Sequence, residues 1–453
     1  MWRRRWRLYC PCSGFSCCSE EETVTDRKRV NVRGLALEVL LEVTEQKEYS
    51  HLALRGALEK YLYLEKQDRA FLTRLVEGTV ERLLELDYII NRFSKVPVHK
   101  MKPVIRGILR MSVYQIKYMD RIPDAAVCNE AVKLAGKKGF SSLKGFVNGV
   151  LRNISRNLGT VEYPDLSVKY STPEWIVRQW TDEYGEETAR KMLESQYKER
   201  PITVRVNLHR ISRESLMERL VSEGVRVRKV EGIDCALEIS GYDYLAALPS
   251  FREGLFQVQD VSSMLAVLKA APRRGDYCID VCAAPGGKSL HLADLLDGTG
   301  MVEARDLTEY KVQLIEENIA RSGMTNIRAV QWDATVPDEV SAGKADVVLA
   351  DLPCSGLGVL NKKRDLKYRM TPEQEKELVH LQRRILETVQ QYVKPGGTLV
   401  YSTCTVHREE NEGNTAWFLE HFPFVLKEQI QMLPGRDPWD GFYIAKMEKR
   451  QND

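Results

Sequence analysis

The stretch YCIDVCAAPGGKSLHLADLL, residues 277–296, predicts the fold of the second half of the chain. A short apolar strand runs into two consecutive glycines, and a helical pattern begins directly after them. Glycine lets the backbone approach a ligand closely, and the first turn of a helix offers unpaired amides to a carboxylate or a phosphate. The stretch therefore indicates a ligand site where a strand passes into a helix.

Short apolar strands and helical segments alternate downstream of these glycines. The strands read MVEARD, IRAVQWD, ADVVLADLP and GTLVYSTC, and amphipathic segments such as TEYKVQLIEENIARSG lie between them. This alternation predicts an α/β, Rossmann-like domain over residues 261–453, with a mainly parallel, doubly wound sheet. Ligands of such sheets bind beyond the carboxyl ends of the strands.

Aspartates are predicted to end three of these strands, at Asp306, Asp333 and Asp351. Asp306 follows the glycines by about twenty residues, a position from which a carboxylate reaches ribose hydroxyls. One such aspartate is often only a cap or a turn residue, but three at successive strand ends indicate an adenosine-type site. The loop lacks Gly-x-Gly-x-x-Gly and the phosphate-loop spacing, which disfavours dinucleotides and ATP.

Two cysteines are predicted at the same edge of the sheet, beyond the carboxyl ends of the strands, which is called the rim below. Cys354 lies in ADLPCSGLG and Cys404 ends GTLVYSTC, and adjacent parallel strands lie only ~5 Å apart. The alternatives are a small buried hydrophobe for Cys354 and a disulfide between the two. A thiolate is strong enough to attack a pyrimidine ring carbon. His407, Arg408 and a helix expected after Cys404 favour its thiolate form.

A basic loop, NKKRDLKYR at residues 361–369, follows Cys354. A charge run is usually a solvated face, but beside a catalytic rim phosphate contact fits at least as well. The residues predicted to contact RNA are Lys362, Lys363, Arg364, Lys367 and Arg369.

The front of the chain has a different character. Apolar residues recur at spacings of three and four from residue 31 to 157, which predicts an all-α domain over residues 24–160. That domain carries 25 lysines and arginines against 15 aspartates and glutamates, whereas residues 161–453 carry 38 against 46. A basic helical domain favours a polyanion, first of all nucleic acid. Residues 161–260 are predicted to form a linker and a small α+β subdomain.

Residues 1–23 fit neither pattern. We expect a disordered extension or a misassigned start, and no metal site, because Cys10, Cys12, Cys17 and Cys18 lack paired zinc-ligand spacing and partner histidines. The full sequence is 43% hydrophobic and 29% charged and has no run of ~18 apolar residues, and its other six cysteines are scattered. These features predict a cytoplasmic protein with no membrane partner.

The ordered motifs QVQDVSS (257–263), DVCAAPGGK, DLPCSG and YSTCT followed by EENE together resemble the bacterial Sun/Fmu family of S-adenosylmethionine-dependent RNA cytosine-C5 methyltransferases. The front domain resembles a NusB-type RNA-binding domain. The resemblance covers nearly all of the chain from about residue 24. It implies 16S ribosomal RNA as substrate, at the cytosine usually numbered 967, and no obligate protein partner.

The resemblance also implies roles for individual residues. Asp306 would bind the cofactor ribose, Asp333 would lie near the adenine, and Asp351 would lie between cofactor and target base. Cys404 would attack carbon 6 of the cytosine, and Cys354 would assist breakdown of the covalent adduct. The loop expected to hold S-adenosylmethionine consists of Cys282, Ala283, Ala284, Pro285, Gly286, Gly287 and Lys288.

Two rival functions remain at this level. An amino-methyltransferase acting on adenine or on protein commonly has an aromatic residue where DLPC has Cys354, and it needs no thiol. A NusB-like RNA-binding or transcription factor could carry a decayed methyltransferase domain, but the glycines, the acidic rim and both cysteines are intact. The sequence therefore favours the cytosine methyltransferase.

Overall fold

The computed structural model describes residues 31–61, 63–198 and 200–451. The interpretation of residues 1–23, with their four cysteines, lies outside these ranges. The described residues form a helical front part, a small mixed part and a large α/β part. None of their helices is both long enough and apolar enough to cross a membrane.

The front part is helical, as its periodicity predicts. Its helices are α1 (Val32–Thr44), α2 (Ser50–Lys60), α3 (Lys66–Glu81), α4 (Leu83–Phe93), α5 (Pro103–Tyr118), α6 (Asp124–Lys137) and α7 (Lys144–Asn157). Asn31 caps α1 by accepting a hydrogen bond from the Gly34 amide at 3.2 Å. Proline suits the first position of α5 because its fixed φ matches a helix. The apolar faces of the helices meet in one core that includes Leu37 and Ile108.

The middle part packs helices against a small sheet. It contains α8 (Leu166–Lys169), α9 (Glu174–Tyr184), α10 (Glu186–Ser195), β1 (Ile202–Val206), α11 (Arg213–Ser222), β2 (Arg226–Lys229), β3 (Ala236–Ser240), α12 (Pro249–Arg252) and β4 (Phe256–Val258). The sheet is antiparallel, in the order β2-β3-β1-β4. One face of it is covered by α11, whose Leu216 and Leu220 share a core with Val204 and Val206.

The α/β part is built on a twisted, mostly parallel sheet. Its elements are α13 (Val261–Ala270), β5 (Tyr277–Asp280), α14 (Gly287–Leu295), β6 (Met301–Asp306), α15 (Glu309–Ser322), β7 (Ile327–Gln331), β8 (Ala345–Asp351), α16 (Leu366–Arg369), α17 (Pro372–Val389), β9 (Val393–Thr403), α18 (Asn414–His421), β10 (Phe424–Met432) and β11 (Phe442–Lys449). Among the described residues the sheet has seven strands, in the order β10-β11-β9-β8-β5-β6-β7. The strands from β9 to β7 run parallel, and β11 pairs antiparallel with both β9 and β10.

Helices cover both faces of this sheet. Alternate residues of a strand point to opposite faces, so Cys278 joins the core with α13, α14 and α15, whereas Ile279 joins the core with α17 and α18. The strand order reverses between β5 and β8, and the open crevice of such a sheet lies at that reversal. The predicted fold class is confirmed. The sequence pattern missed β10 and β11, which extend the parallel sheet with antiparallel strands.

Candidate active site

The glycine loop lies between β5 and α14, at the reversal of strand order. Gly286 has a φ of +100°, which L side chains rarely adopt, and a Cβ there would meet the Ile315 side chain of α15 at 3.4 Å. Helix α14 begins at Gly287, so its first amides face the crevice. The local sequence folds this way because glycine readily adopts the positive φ that the turn needs.

Asp306 holds the loop in place from the end of β6. Its carboxylate oxygens accept hydrogen bonds from the Ala284 amide at 3.0 Å and the Leu307 amide at 2.8 Å, and Lys311 Nζ lies 3.0 Å from it. The side chain is nearly buried. Asp306 therefore lies against the glycine loop, as its position at the strand end predicts.

Lys288 and Asp351 form an ion pair across the rim. Lys288 Nζ lies 2.5 Å from Asp351 Oδ2, and Ser402 Oγ donates a hydrogen bond of 2.8 Å to the other oxygen. Burial opposes the charge of Lys288, but the pair with Asp351 outweighs it and raises the pKa of the lysine. The pair connects the first turn of α14 to the ends of β8 and β9.

Asp333 differs from its predicted place. Strand β7 ends at Gln331, so Asp333 lies two residues beyond the strand, exposed to solvent. It accepts hydrogen bonds from the Thr335 hydroxyl at 2.7 Å and the Thr335 amide at 2.9 Å, and these bonds lower its pKa. The prediction that Asp333 ends the strand is wrong, because the strand-like sequence pattern continues beyond Gln331, the last residue of β7 that pairs with β6. The residue forms an Asx turn at the edge of the rim.

The two thiols meet directly after adjacent strands. Cys354 Sγ and Cys404 Sγ are 3.3 Å apart, and both residues are partly accessible. The hydrogen bond from the Cys354 thiol lowers the pKa of Cys404, and Lys363 and Lys288 add to this effect. The same bond, together with burial, raises the pKa of Cys354. The geometry therefore favours a thiolate on Cys404 and a thiol on Cys354.

A buried polar network supports the segment that carries Cys354. The Ser355 amide donates to Glu410 Oε2 at 3.0 Å, and Gln382 Nε2 donates to the same oxygen and to the Pro353 carbonyl, each at 2.8 Å. The Ser355 and Thr405 hydroxyls lie 2.6 Å apart. The network ties the Cys354 segment to α17 and to the segment after Cys404.

Sequence reasoning did not assign these supporting residues. The EENE motif, which contains Glu410, was a signal, but its role depends on a contact with a distant loop. Gln382 lies in an ordinary amphipathic helix and gave no signal. A hydrogen bond between residues 29 positions apart cannot be inferred from helical periodicity.

Most basic side chains of the loop at residues 361–369 contact other parts of the protein. Arg364 pairs with Glu81 and Glu77 of α3, at 3.3 and 3.4 Å. Lys362 pairs with Asp440 at 2.6 Å and Asp260 at 2.8 Å, although its side chain stays half exposed.

Two further residues of the loop also contact protein. Arg369 Nε donates to Asp365 Oδ2 at 2.6 Å, and its guanidinium donates to the Lys47 carbonyl at 2.6 Å. Lys367 is only 1% exposed and donates to Gln196 Oε1 at 3.2 Å. The predicted RNA contact is therefore wrong for Lys367. Lys363 is exposed and makes no ion pair within the described ranges.

Family matches cover most of the chain. Residues 30–156 match the NusB family, and residues 172–242 match the ferredoxin-like domain of RsmF/B-like methyltransferases. Residues 267–448 match the family described as 16S rRNA methyltransferase RsmB/F.

Relatives match over nearly the whole length. The chain is 37% identical over 448 residues to the probable ribosomal RNA small subunit methyltransferase B of Bacillus subtilis, which covers 93% of this chain and 100% of that protein. It is 30% identical over 435 residues to the ribosomal RNA small subunit methyltransferase B of Salmonella paratyphi A, with 94% and 100% covered.

Solved structures show the same architecture. The crystal structure of PH0851 superposes with a TM-score of 0.79 at 26% identity, and covers 94% of this chain and 100% of that one. NSun6 from Pyrococcus horikoshii with SFG has a TM-score of 0.56 at 24% identity, covering 62% and 99%, and shares the fold.

The sheet, the rim and these matches define an S-adenosylmethionine-dependent ribosomal RNA methyltransferase. Within that class, the chain belongs to the ribosomal RNA small subunit methyltransferase B family. The resemblance inferred from the motifs is thereby confirmed, and the NusB-like and ferredoxin-like parts are those of the family.

The loop fits this cofactor. The positive φ of Gly286 turns the chain into α14, whose free amides suit the methionine carboxylate. Asp280, directly before the loop, has one buried carboxylate oxygen without a hydrogen-bond partner in the described part of the chain. Burial raises the pKa of Asp280 to about 7.

Proposed function

We propose that the enzyme methylates carbon 5 of a cytosine in 16S ribosomal RNA, at the position-967 type of site, through a covalent cysteine adduct. The observation that carries the proposal is the pair of thiols 3.3 Å apart beside the Lys288–Asp351 pair. A methyltransferase acting on an amino group requires no thiol at this rim, and two thiols with opposite pKa shifts suit two different steps of one reaction.

Residues of the rim are assigned to the cofactor as follows. The loop from Cys282 to Lys288 cradles S-adenosylmethionine, Asp306 binds the ribose, and Asp333 lies on the adenine side. S-adenosylmethionine supplies a methyl group that is electrophilic enough to react with an activated ring carbon. The task left to the protein is therefore to make carbon 5 of the cytosine nucleophilic.

Cys404 performs that activation. Its thiolate forms a bond to carbon 6, and the electron pair of the 5,6 double bond moves onto the ring, which makes carbon 5 a nucleophile. Asp351 stabilises the ring as charge builds. The Ser402 hydroxyl and Lys288 keep the Asp351 carboxyl oriented for this task.

Cys354 releases the product. While Cys404 is a thiolate, its hydrogen bond keeps the proton on Cys354. Once Cys404 is bonded to carbon, that thiolate charge is gone, and Cys354 gives up its proton to solvent. The Cys354 thiolate then removes the carbon-5 proton, the double bond forms again, and the bond from carbon 6 to Cys404 breaks.

The substrate assignment rests on the family and on charge. The front domain, which matches the NusB family, has the excess of basic residues that suits RNA. Lys363, exposed beside Cys404, is the member of the basic loop best suited to contact a phosphate. A ribosomal RNA substrate fits a protein that acts in the cytoplasm.

The test uses the purified full-length chain, methyl-labelled S-adenosylmethionine and protein-free 16S RNA. We expect label in 5-methylcytidine with the wild type, mapped to one RNA fragment by mass spectrometry. Cys404→Ala should lose at least about 1000-fold in transfer rate and form no adduct. Cys354→Ala should accumulate a protein–RNA complex that resists denaturant.

Cys128→Ala, in the core of the front domain, is the matched control and should behave as the wild type. The reverse pattern for Cys404 and Cys354 would overturn the assignment of the two thiols. Label in adenine, or no label in any RNA, would overturn the proposed function itself.

A further inference from the structure

Three buried titratable side chains that perform no step of the proposed reaction lie close together behind the Cys354 segment. Glu375 belongs to the first turn of α17, and His407 and Glu410 follow Cys404. His407 Nδ1 lies 3.5 Å from Glu410 Oε1 and 3.9 Å from Glu375 Oε2, and one ligand atom from each residue fits within 4.8 Å of the others. Glu410 is 0%, Glu375 3% and His407 8% exposed.

The cluster has unsatisfied polar atoms. Among the described residues, His407 Nδ1, Glu375 Oε1 and Glu410 Oε1 make no hydrogen bond. Within the described residues, both carboxylates make ion-pair contacts only with the His407 ring. Two buried carboxylates thus face at most one positive charge, and burying unpaired polar groups is costly.

We propose that Glu375, His407 and Glu410 bind a divalent metal ion. Carboxylate oxygens and an imidazole nitrogen bind Zn²⁺ or Mn²⁺ at about 2.0–2.2 Å, which puts neighbouring ligand atoms roughly 3–4 Å apart. The distances of 3.5 and 3.9 Å agree with that spacing. Two carboxylates and a neutral imidazole carry two negative charges, which one divalent ion neutralises. The sequence predicted no metal here, because the three ligands lack a recognisable spacing.

The ion acts by positioning, not by chemistry at the substrate. Glu410 offers Oε1 to the ion, whereas its Oε2 accepts from the Ser355 amide and from Gln382. Gln179 of α9 donates to Glu375 Oε2 at 3.1 Å and so orients the second carboxylate. The metal therefore fixes α17, the segment after Cys404 and the loop that carries Cys354 relative to one another.

The test is equilibrium dialysis of the full-length chain against Mn²⁺, after removal of metals with a chelator and without cofactor or RNA. Mn²⁺ is the probe because it binds thiols weakly, which removes competition from the cysteines. We expect one equivalent of bound Mn²⁺ in the wild type and a rise in Tm on binding. Glu375→Gln, nearly isosteric, should lose at least about tenfold in affinity, and His407→Ala more.

His380→Ala is the matched control, since His380 is exposed on the same helix α17. It should bind Mn²⁺ as the wild type does. The proposal is overturned if the wild type binds no Mn²⁺, which would leave a cluster held together by a shared proton. It is equally overturned if Glu375→Gln and His407→Ala bind Mn²⁺ undiminished. Neither result bears on methyl transfer, which the thiol variants test separately.

Discussion

Cys354 and Cys404 have the same side chain, and the role proposed for each depends on which of the two is protonated. Cys354 and Cys404 follow the carboxyl ends of the neighbouring strands β8 and β9, and a hydrogen bond joins their sulfur atoms. Lysines lie on the Cys404 side, since Lys363 and Lys288 both lower its pKa. Glu410 and Asp351 act on Cys354 and raise its pKa further, whereas Asp351 opposes the thiolate on Cys404 as well. The hydrogen bond between the thiols, together with the lysines near Cys404 and Glu410 near Cys354, selects the nucleophile.

This asymmetry predicts the pH dependence of alkylation. An ordinary cysteine titrates near pH ~8.5, and the lowered pKa of Cys404 keeps it a thiolate at lower pH. The rate of its reaction with iodoacetamide should therefore reach half-maximum below that pH. In Cys354→Ala the hydrogen-bond donor is lost, so the midpoint should move to higher pH. Mass spectrometry of the Cys404 peptide, over pH values from about 5.5 to 10, measures both midpoints.

Cys235→Ala serves as the control for this experiment, because Cys235 lies in a separate core in contact with His291. It should leave the Cys404 midpoint where it is. A wild-type midpoint equal to or above that of Cys354→Ala would contradict the assignment of the thiolate.

At the residue scale, the sequence predicted the positions of those site residues that directly follow a strand. Asp306 and the two cysteines follow directly from the alternation of strands and helices, because parallel strands bring their carboxyl ends to one edge. Asp333 was misplaced, since an apolar run does not say where strand pairing stops. Lys367 was misjudged because charge alone does not reveal that a side chain is covered by another domain.

At the element scale, the position of Cys404 depends on a close approach of three backbone segments. The Gly358 amide donates to the Cys404 carbonyl at 3.1 Å, and the Gly441 amide donates to the Gly358 carbonyl at 2.9 Å. A Cβ on Gly358 would lie 2.2 Å from the Gly441 carbonyl oxygen and 2.9 Å from that of Cys404. Glycine is required at residue 358 because backbone, which cannot rotate away, surrounds it.

Gly358→Ala should therefore lower the free energy of unfolding by about 1–3 kcal/mol, the usual cost of forcing extra atoms into a packed site. It should also slow methyl transfer more than it weakens RNA binding, because the displaced backbone carries Cys404. Urea unfolding and the split between kcat and KM measure the two effects.

Gly149→Ala is the matched control for Gly358→Ala. A Cβ on Gly149 meets nothing within 4 Å, and the residue lies inside helix α7. This change should keep or raise stability, by up to about 1 kcal/mol, because alanine favours a helix. Equal stability losses in the two variants would contradict the role of Gly358.

The strands β10 and β11 show why element order is harder to predict than element type. β11 comes last in the chain but lies between β9 and β10 in the sheet. Its residues Phe442 and Tyr443 belong to cores on opposite faces, so the strand is held by packing on both sides. Such pairing depends on contacts between distant segments, which periodicity within one segment does not report.

At the scale of the whole molecule, the loop after Cys354 joins the catalytic part to the front domain. Tyr49, the residue at the N-cap position of helix α2, makes no capping hydrogen bond with its side chain. Asp365 supplies the cap from the other domain: it accepts from the Ser50 hydroxyl at 2.7 Å and the Ser50 amide at 3.2 Å. Arg369 Nε donates to the same Asp365 oxygen that accepts from the Ser50 amide and so holds the carboxylate in place. The predicted RNA-binding loop thus serves in part as an interdomain contact.

Removal of this shared cap should loosen α2 and leave the rest of the front domain folded. Losing an N-cap costs about 1–2 kcal/mol, so we expect amide exchange in α2 of Asp365→Ala to accelerate about 5- to 30-fold. Hydrogen–deuterium exchange with mass spectrometry measures this segment by segment. Ser212→Ala, which removes the cap of α11 within the small domain, should accelerate exchange in α11 alone. Unchanged exchange in α2 of Asp365→Ala would show that the two domains meet without depending on this bond, because a cap that stabilises a helix must slow its opening.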